Sequence, residues 1–323
     1  MKSSTLQYRS LLREDLEDVR SLMLSACRSI PDGIQQSVQA LIQGGGKRLR
    51  PALVLLSAAT WSADHDSALV TAAAVEMLHT ATLIHDDLID RSLVRRGLQT
   101  LNAHWPSTAT VLAGDIVFAL AAKLIAGSAN TALVMRFAET LETICQGELE
   151  QMFGNNGGLP PIDAYYERIY AKTASLFALS VEAGPLLAGT SQEAVLMGRR
   201  LGRLIGEAFQ ITDDVLDLMG TESELGKPAG ADLRQGLATL PLLLYAHATP
   251  ADPRPLAVLA HKADDTTLRE LAGDLRASDA ITEAMQIAER HVADAISLIR
   301  TLPDSPHRRA LEDLARYAVN RRH

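Results

Sequence analysis

The chain has 323 residues, a formal net charge of -8, a hydrophobic fraction of 47% and only 4% aromatic residues. That balance supports a large core, in one big domain or two ordinary ones, and argues against nucleic acid as a partner. Ala and Leu outnumber β-branched and aromatic runs, which favours helix over sheet.

Apolar residues recur at helical spacing from Leu12 through Leu16, Val19, Met23 and Cys27 to Ile30, and a second helix is expected to end at Ile42. Gly44, Gly45 and Gly46 then break the chain before Lys47-Arg-Leu-Arg50-Pro51. Pro51 suits the first turn of a helix over 52–60. The pattern predicts a long helix over 67–94, roughly 40 Å in length. Further helices are expected over 107–127, 128–153 and 162–183, the last ended or kinked by Gly184-Pro185. Another spans 192–219. Residues 221–236 read as a loop or short helix, and helical stretches over 239–247, 256–261, 265–271, 280–302 and 306–317 complete the chain. No stretch alternates with period two. The apolar run 109–135 is interrupted by Asp115, Lys123 and Asn130 and closed by Arg136, so it reads as buried helices rather than a membrane span. Cys27 and Cys145 have no metal-type spacing, and residues 1–9 carry no apolar leader, which fits a reduced cytoplasmic chain. The expectation is one all-α domain, 1–323, of ten or more helices.

The chemistry concentrates in two acidic clusters. Asp86, Asp87 and Asp90 close the stretch Thr82-Leu-Ile-His85, and Asp213, Asp214 and Asp217 follow Ala208-Phe-Gln-Ile-Thr212. Asp86 and Asp90 share a helix face about 6 Å apart along the axis. A solvated face would not carry such apolar flanks. Two clusters facing one cavity would be severely destabilising without cations. Hard oxygen ligands of this kind, few per ion, point to Mg²⁺ carrying a diphosphate. A set of cations accompanies them. Lys47, Arg48 and Arg50 follow the glycine break, Arg95 and Arg96 lie just beyond Asp90, and Lys172 and Lys227 come later. Singly, each would most often be a surface charge; together they suggest two phosphorylated substrates. His79 lies two turns before Asp86 on the same face. His85-Asp86 also invites a metal-phosphohydrolase reading, but His65 and His104 have no partners at ligand spacing.

The segments Gly45-Gly-Lys-Arg-Leu-Arg-Pro51, Leu83-Ile-His-Asp-Asp-Leu-Ile-Asp90, Arg95-Arg-Gly97, Leu112-Ala-Gly-Asp115, Gly147-Glu-Leu-Glu-Gln151, Lys172-Thr173, Phe209-Gln-Ile-Thr-Asp-Asp-Val-Leu-Asp217 and Gly226-Lys-Pro228 together resemble, in order, the motifs of trans-polyprenyl diphosphate synthases. The resemblance implies the isoprenoid synthase fold, a helical bundle around a central cavity. It implies a head-to-tail prenyltransferase, in which an allylic diphosphate ionises with Mg²⁺ and is attacked by the double bond of isopentenyl diphosphate before a proton is lost. It assigns Lys47, Arg50, His79 and Arg96 to isopentenyl diphosphate. To the allylic diphosphate it assigns Mg²⁺ on the two acidic clusters, three ions when substrate is bound, with Arg95, Lys172 and Lys227. Thr173 and Gln210 would lie near the reacting carbons, and a homodimer is implied. Leu237 stands in Gly236-Leu-Ala-Thr-Leu-Pro241 where many members carry Lys.

In such enzymes the product would grow from the aspartates toward the start of their helix, one isoprene unit per turn of about 5.4 Å. Short-chain members place an aromatic floor four or five residues before the first Asp. Thr82 and Ala81 are small here, and only Leu78 and Met77 would obstruct. The expected product is C30 to C50, with C20 next. A terpene cyclase would not need the Lys47, Arg50 and Arg96 set. A non-catalytic regulatory subunit of a heteromeric synthase would have lost an acidic cluster.

Overall fold

A computed structural model describes residues 7–44, 46–95, 98–153, 158–220 and 230–321. Regular structure among them is helical apart from one antiparallel pair, Val94–Arg95 with Leu98–Gln99. The backbone divides into two compact units, each assembled from three stretches of chain. One comprises Met1–Leu141, Leu176–Gly202 and Ile299–Leu314; the other comprises Glu142–Ser175, Arg203–Leu298 and Ala315–His323.

The first unit is built on the helix His65–Ile89. Asp64 caps its start, accepting from the Ser67 amide at 2.9 Å. Nearly every turn is buried, because Arg13–Ala26, Leu49–Thr60 and Ser107–Ala126 all pack on it. The small residues Ala68, Ala72, Ala73, Ala74 and Ala81 allow that close approach. His65–Ile89 and Ser107–Ala126 are each long and apolar enough to cross a membrane; here they lie against one another.

The helix stops five residues earlier than its pattern predicts. Arg91 adopts a left-handed conformation, φ 51°. The Ser92 amide bonds to the Asp87 carbonyl at 2.8 Å and the Arg91 amide to the Leu88 carbonyl at 3.2 Å. This is a Schellman end made without the glycine that usually announces it. Its consequence is that Arg95 sits on a short hairpin strand rather than on the helix.

A second departure concerns Gly184-Pro185, expected to end or kink a helix. The helix Ser175–Leu187 continues past it. Proline leaves the carbonyl of Val181, four residues back, without its helical donor. The Ser57 hydroxyl takes that place, donating to Val181 O at 2.5 Å. Gly184 makes the approach possible, since a Cβ there would lie 2.1 Å from Ser57 Oγ. Buried Glu182 is held nearby by Arg199, at 3.0 Å, and Arg136, at 3.2 Å.

The second unit has its own core, with Leu218, Leu233, Leu242, Leu259, Leu271 and Leu275 at its centre. Its Ile162–Ile169 helix passes into a π-helical segment, Tyr170–Ala174. Sequence periodicity gave one unbroken helix there. Pro306–Tyr317 has its expected bounds, whereas two of the helices before it differ in length. Asp265–Ala277 extends six residues beyond the expected end, and Asp279–Ile299 stops three short.

Two glycines test this packing. A Cβ at Gly202 would meet Phe177 O at 2.4 Å and Ala178 Cα at 2.6 Å, both backbone atoms that cannot rotate away. Gly202→Ala is expected to lower stability by about 1–3 kcal/mol. Gly273, inside Asp265–Ala277 with nothing within 4 Å, should respond oppositely, gaining about 0.5–1 kcal/mol as Ala. Urea midpoints of the two variants measure both.

Candidate active site

In the first unit the aspartate helix ends on an unequal trio. Asp87 is buried and accepts from Arg95 Nε at 2.7 Å. Burial pushes its carboxyl above the ordinary carboxylate range, against the pull of that guanidinium. Asp86 is half-buried and Asp90 exposed. One acid therefore anchors the hairpin that carries Arg95, and two point to the more open side of the helix end. His85 turns toward Ser107–Ala126. Its Nε2 lies 3.2 Å from Val111 O and 3.6 Å from Asp115, with its ring beside Phe118. Gly114 leaves room for that ring, as a Cβ would sit 2.1 Å from Nε2. These contacts explain Leu112-Ala-Gly-Asp115 structurally and set His85 apart from the aspartates.

The glycine break leads into Leu49–Thr60. Arg48, at φ 49°, turns inward to Glu76 at 2.7 Å and to Ile42 O. Lys47 is exposed on its other side, and its carbonyl accepts from Tyr8 OH at 2.5 Å. Arg50 lies over the Phe177 ring at 4.8 Å. Of the three cations, Arg48 is a structural tie, while Lys47 and Arg50 carry the resemblance. His79 and Thr82 are half-buried; Met77, Leu78 and Ala81 are completely covered. Arg96 and Lys227, both expected at the site, lie outside the described residues.

In the second unit the helix Gln192–Met219 ends on Asp213, Asp214 and Asp217. A chain of hydrogen bonds runs beside it. The Thr173 hydroxyl donates to Gln210 Oε1 at 2.7 Å, Gln210 Nε2 donates to Asp214 Oδ1 at 2.8 Å, and Tyr165 OH donates to Asp214 Oδ2 at 2.9 Å. Thr173 and Gln210, 37 residues apart in sequence, are thus fixed relative to one another. The amide of Gln210 has its orientation set from both ends. The π segment presents Lys172 to Glu148 at 3.0 Å while Thr173 faces Gln210. Gly147 lets the preceding helix seat on that segment, for a Cβ would lie 2.4 Å from Ala171 Cβ. Asp217 accepts from the Asp232 amide at 3.1 Å. Asp213 remains partly exposed, with Arg321 at 2.7 Å.

Tyr165, Glu148 and Arg321 belong to this arrangement; the sequence reading carried Glu148 only within the Gly147-Glu-Leu-Glu-Gln151 motif, without a role, and did not single out Tyr165 or Arg321. Tyr165 stands four residues before Ile169 in a helix whose burial is set by the tertiary fold. Arg321 is one of several basic residues near the end of the chain. Only their contacts distinguish them.

Among the described residues, no three His, Cys, Asp or Glu side chains are grouped closely enough to hold a metal by protein ligands alone. Each cluster offers hard carboxylate oxygens, and Asp86, Asp90 and Asp213 remain accessible. That donor set fits Mg²⁺, which takes one or two carboxylates and completes its shell with water and phosphate oxygens.

Asp214 is completely buried, and burial raises its carboxyl to about 6 despite Arg168, Gln210 and Tyr165. In the unfolded chain it titrates near about 4. Between those values the native state holds a proton that the unfolded chain has released. Its contribution to stability is therefore full below about pH 4 and lost as pH rises through about 6. Asp214→Asn should flatten this part of the stability profile. Urea midpoints at stepped pH without Mg²⁺ measure it, and a variant profile parallel to wild type would contradict the shift.

The sequence matches the family model "Polyprenyl synthetase" over residues 31–274. It is 37% identical over 315 residues to heptaprenyl diphosphate synthase component 2 of Geobacillus stearothermophilus, covering 97% of each chain. It is 34% identical to nonaprenyl diphosphate synthase of Mycobacterium tuberculosis over 317 residues, 97% of this chain and 94% of that one. A crystal structure of a polyprenyl synthase from Caulobacter crescentus, complexed with calcium and isoprenyl diphosphate, superposes with a TM-score of 0.92 at 34% identity over the full length of both. The helical architecture is that of the isoprenoid synthase fold, and the chain belongs to the polyprenyl synthetase family.

Proposed function

We propose that this enzyme makes a long all-trans polyprenyl diphosphate by adding isopentenyl diphosphate units head-to-tail to an allylic diphosphate. The observation that carries this reading is the match over nearly the whole length to synthases named for seven and nine isoprene units, both inside the C30–C50 range argued from small Ala81 and Thr82. A C20 product has less support.

Both acidic clusters serve the allylic diphosphate, Asp86, Asp90 and Asp213 directly, with Asp87, Asp214 and Asp217 completing and bracing the set. When bound, three Mg²⁺ ions would neutralise the departing diphosphate. Lys172, Arg95 and Lys227 add positive charge for the same group. Lys47, Arg50, His79 and Arg96 bind isopentenyl diphosphate. Thr173 and Gln210 present hydroxyl and amide dipoles toward the reacting carbons; the Thr173–Gln210–Asp214 hydrogen bonds favour this role, because preorganised dipoles need not rotate as charge develops.

We place the enzyme in the cytoplasm as a homodimer. Both cysteines are free, Cys27 buried with its thiol pushed up to about 11 and Cys145 exposed, which fits a reducing compartment. Val111 and Leu112, neighbours on Ser107–Ala126, are exposed and would form an apolar surface suited to a second copy. The relative named "component 2" gives a rival reading, in which a different chain covers that surface.

Two measurements test the proposal. Purified protein incubated with Mg²⁺, isopentenyl diphosphate and C5, C10, C15 or C20 primers should yield products beyond C15 without any added subunit. A product stopping at C15 refutes the length, and no product from any primer refutes self-sufficiency. Ala81→Tyr should shorten the product; an unchanged profile in a folded variant would show that position 81 does not limit product length. Separately, Leu112→Glu should convert a dimer into monomers in analytical ultracentrifugation, and a wild-type monomer would refute the homodimer.

A further inference from the structure

We infer that Arg321 is a positioning residue for the second acidic cluster, fixing the Asp213 carboxylate and offsetting part of its charge. The inference rests on the reading of Asp213 as a ligand of diphosphate-bound Mg²⁺.

Arg321 lies 108 residues from Asp213 in sequence, yet it is held by four contacts in the second unit. Nη1 donates to Asp213 Oδ1 at 2.7 Å, Nη2 to Phe209 O at 2.6 Å, and Nε to Ala318 O at 3.1 Å. The guanidinium carbon also stands 3.6 Å from the centre of the Phe209 ring. Three of these contacts do not involve Asp213, so the guanidinium is oriented without it. The carboxylate then conforms to a preset fork rather than the reverse.

The burial agrees. Only 7% of the Arg321 side chain is exposed, against 42% for Asp213. Arg321 therefore covers the Oδ1 side of a carboxylate that stays partly open to solvent. Phe209 lies one turn before Asp213 on the same helix, so ring, carbonyl and carboxylate form one receptor strip for the guanidinium. The charge has a purpose as well. Asp213 adjoins Asp214 in the chain, and the guanidinium on Asp213 offsets part of the charge that the two aspartates bring together. Ligating carboxylates are themselves commonly hydrogen-bonded, and losing such a partner typically lowers metal affinity about 10–100-fold.

The test is calorimetric titration of inorganic diphosphate, in excess Mg²⁺, into the full-length wild type, Arg321→Ala, Arg321→Lys and Asp213→Ala. Arg321→Ala is expected to weaken binding about tenfold or more. Arg321→Lys should fall between, since it keeps the charge but loses the fork and the stacking. A purely structural role would lower the melting temperature while leaving the affinity of the folded fraction unchanged. Binding by Asp213→Ala equal to wild type would overturn the reading of Asp213 as a ligand. Loss in Asp213→Ala, with unchanged or tighter binding in both Arg321 variants, would overturn this inference alone, and tighter binding would mark Arg321 as a competitor of the metal. If Arg321→Ala does not fold, Arg321→Lys decides.

Discussion

The fold has to solve one electrostatic problem, the placement of aspartates inside apolar helices. A buried carboxylate without partners is too costly to keep, and each cluster here meets the demand in the same way. Part of the cluster is buried and hydrogen-bonded, and part stays accessible. Asp87 spends its charge on Arg95. Asp214 is enclosed by Tyr165 and Gln210, and Asp217 accepts a backbone amide. Asp86, Asp90 and the outer side of Asp213 keep access to solvent. The buried acids hold helix ends and loops in place, so that the accessible ones present their oxygens from a rigid support.

The departures from regular helix serve the same end. The π segment at Tyr170–Ala174 inserts an extra residue per turn locally, sending Lys172 toward Glu148 and Thr173 toward Gln210. An uninterrupted α-helix would not keep those two directions together with Tyr165 on Asp214. Such insertions are costly and persist where function fixes them. Gly147 shows the structural side of that cost, because only a residue without Cβ lets the neighbouring helix approach Ala171. The Schellman end at Arg91 is a second irregularity. It turns the chain early enough to bring Arg95 back to Asp87.

The helices and both acidic clusters were legible because their signals are repeated along the chain: apolar periodicity over many turns, and paired carboxylates with apolar flanks. What was illegible depends on single long-range contacts. Pro185 reads as a breaker until Ser57 supplies the missing donor. Arg91 reads as helical because no glycine marks the turn. Arg48 and Arg50 are two residues apart and chemically identical, yet Glu76 claims one and Phe177 the other. Tyr165 and Arg321 carry no local mark at all, since their roles come from partners 49 and 108 residues away. Periodicity describes what a segment does on its own; the support of a site is made by segments acting on one another.

The aspartate helix carries a last constraint, because its small residues lie on two differently covered sides. At about 100° per residue, Thr82 lies roughly 40° from Asp86 around the helix, and His79 closer still. Ala81 lies roughly 140° away. Coverage follows that division. His79, Thr82, Leu83 and Asp86 form one half-covered stripe, while Ala81, Met77 and Leu78 are fully covered. On the proposed function, a hydrocarbon chain growing back from Asp86 would meet the stripe first, and Thr82 would be the nearest small residue on its path. Ala81 faces the packed side, where its size lets neighbouring helices come close. A bulky residue at 82 would stand in that path directly. One at 81 would act there only by displacing the helices packed against it, so on the proposed function the two positions would limit product length by different physical routes.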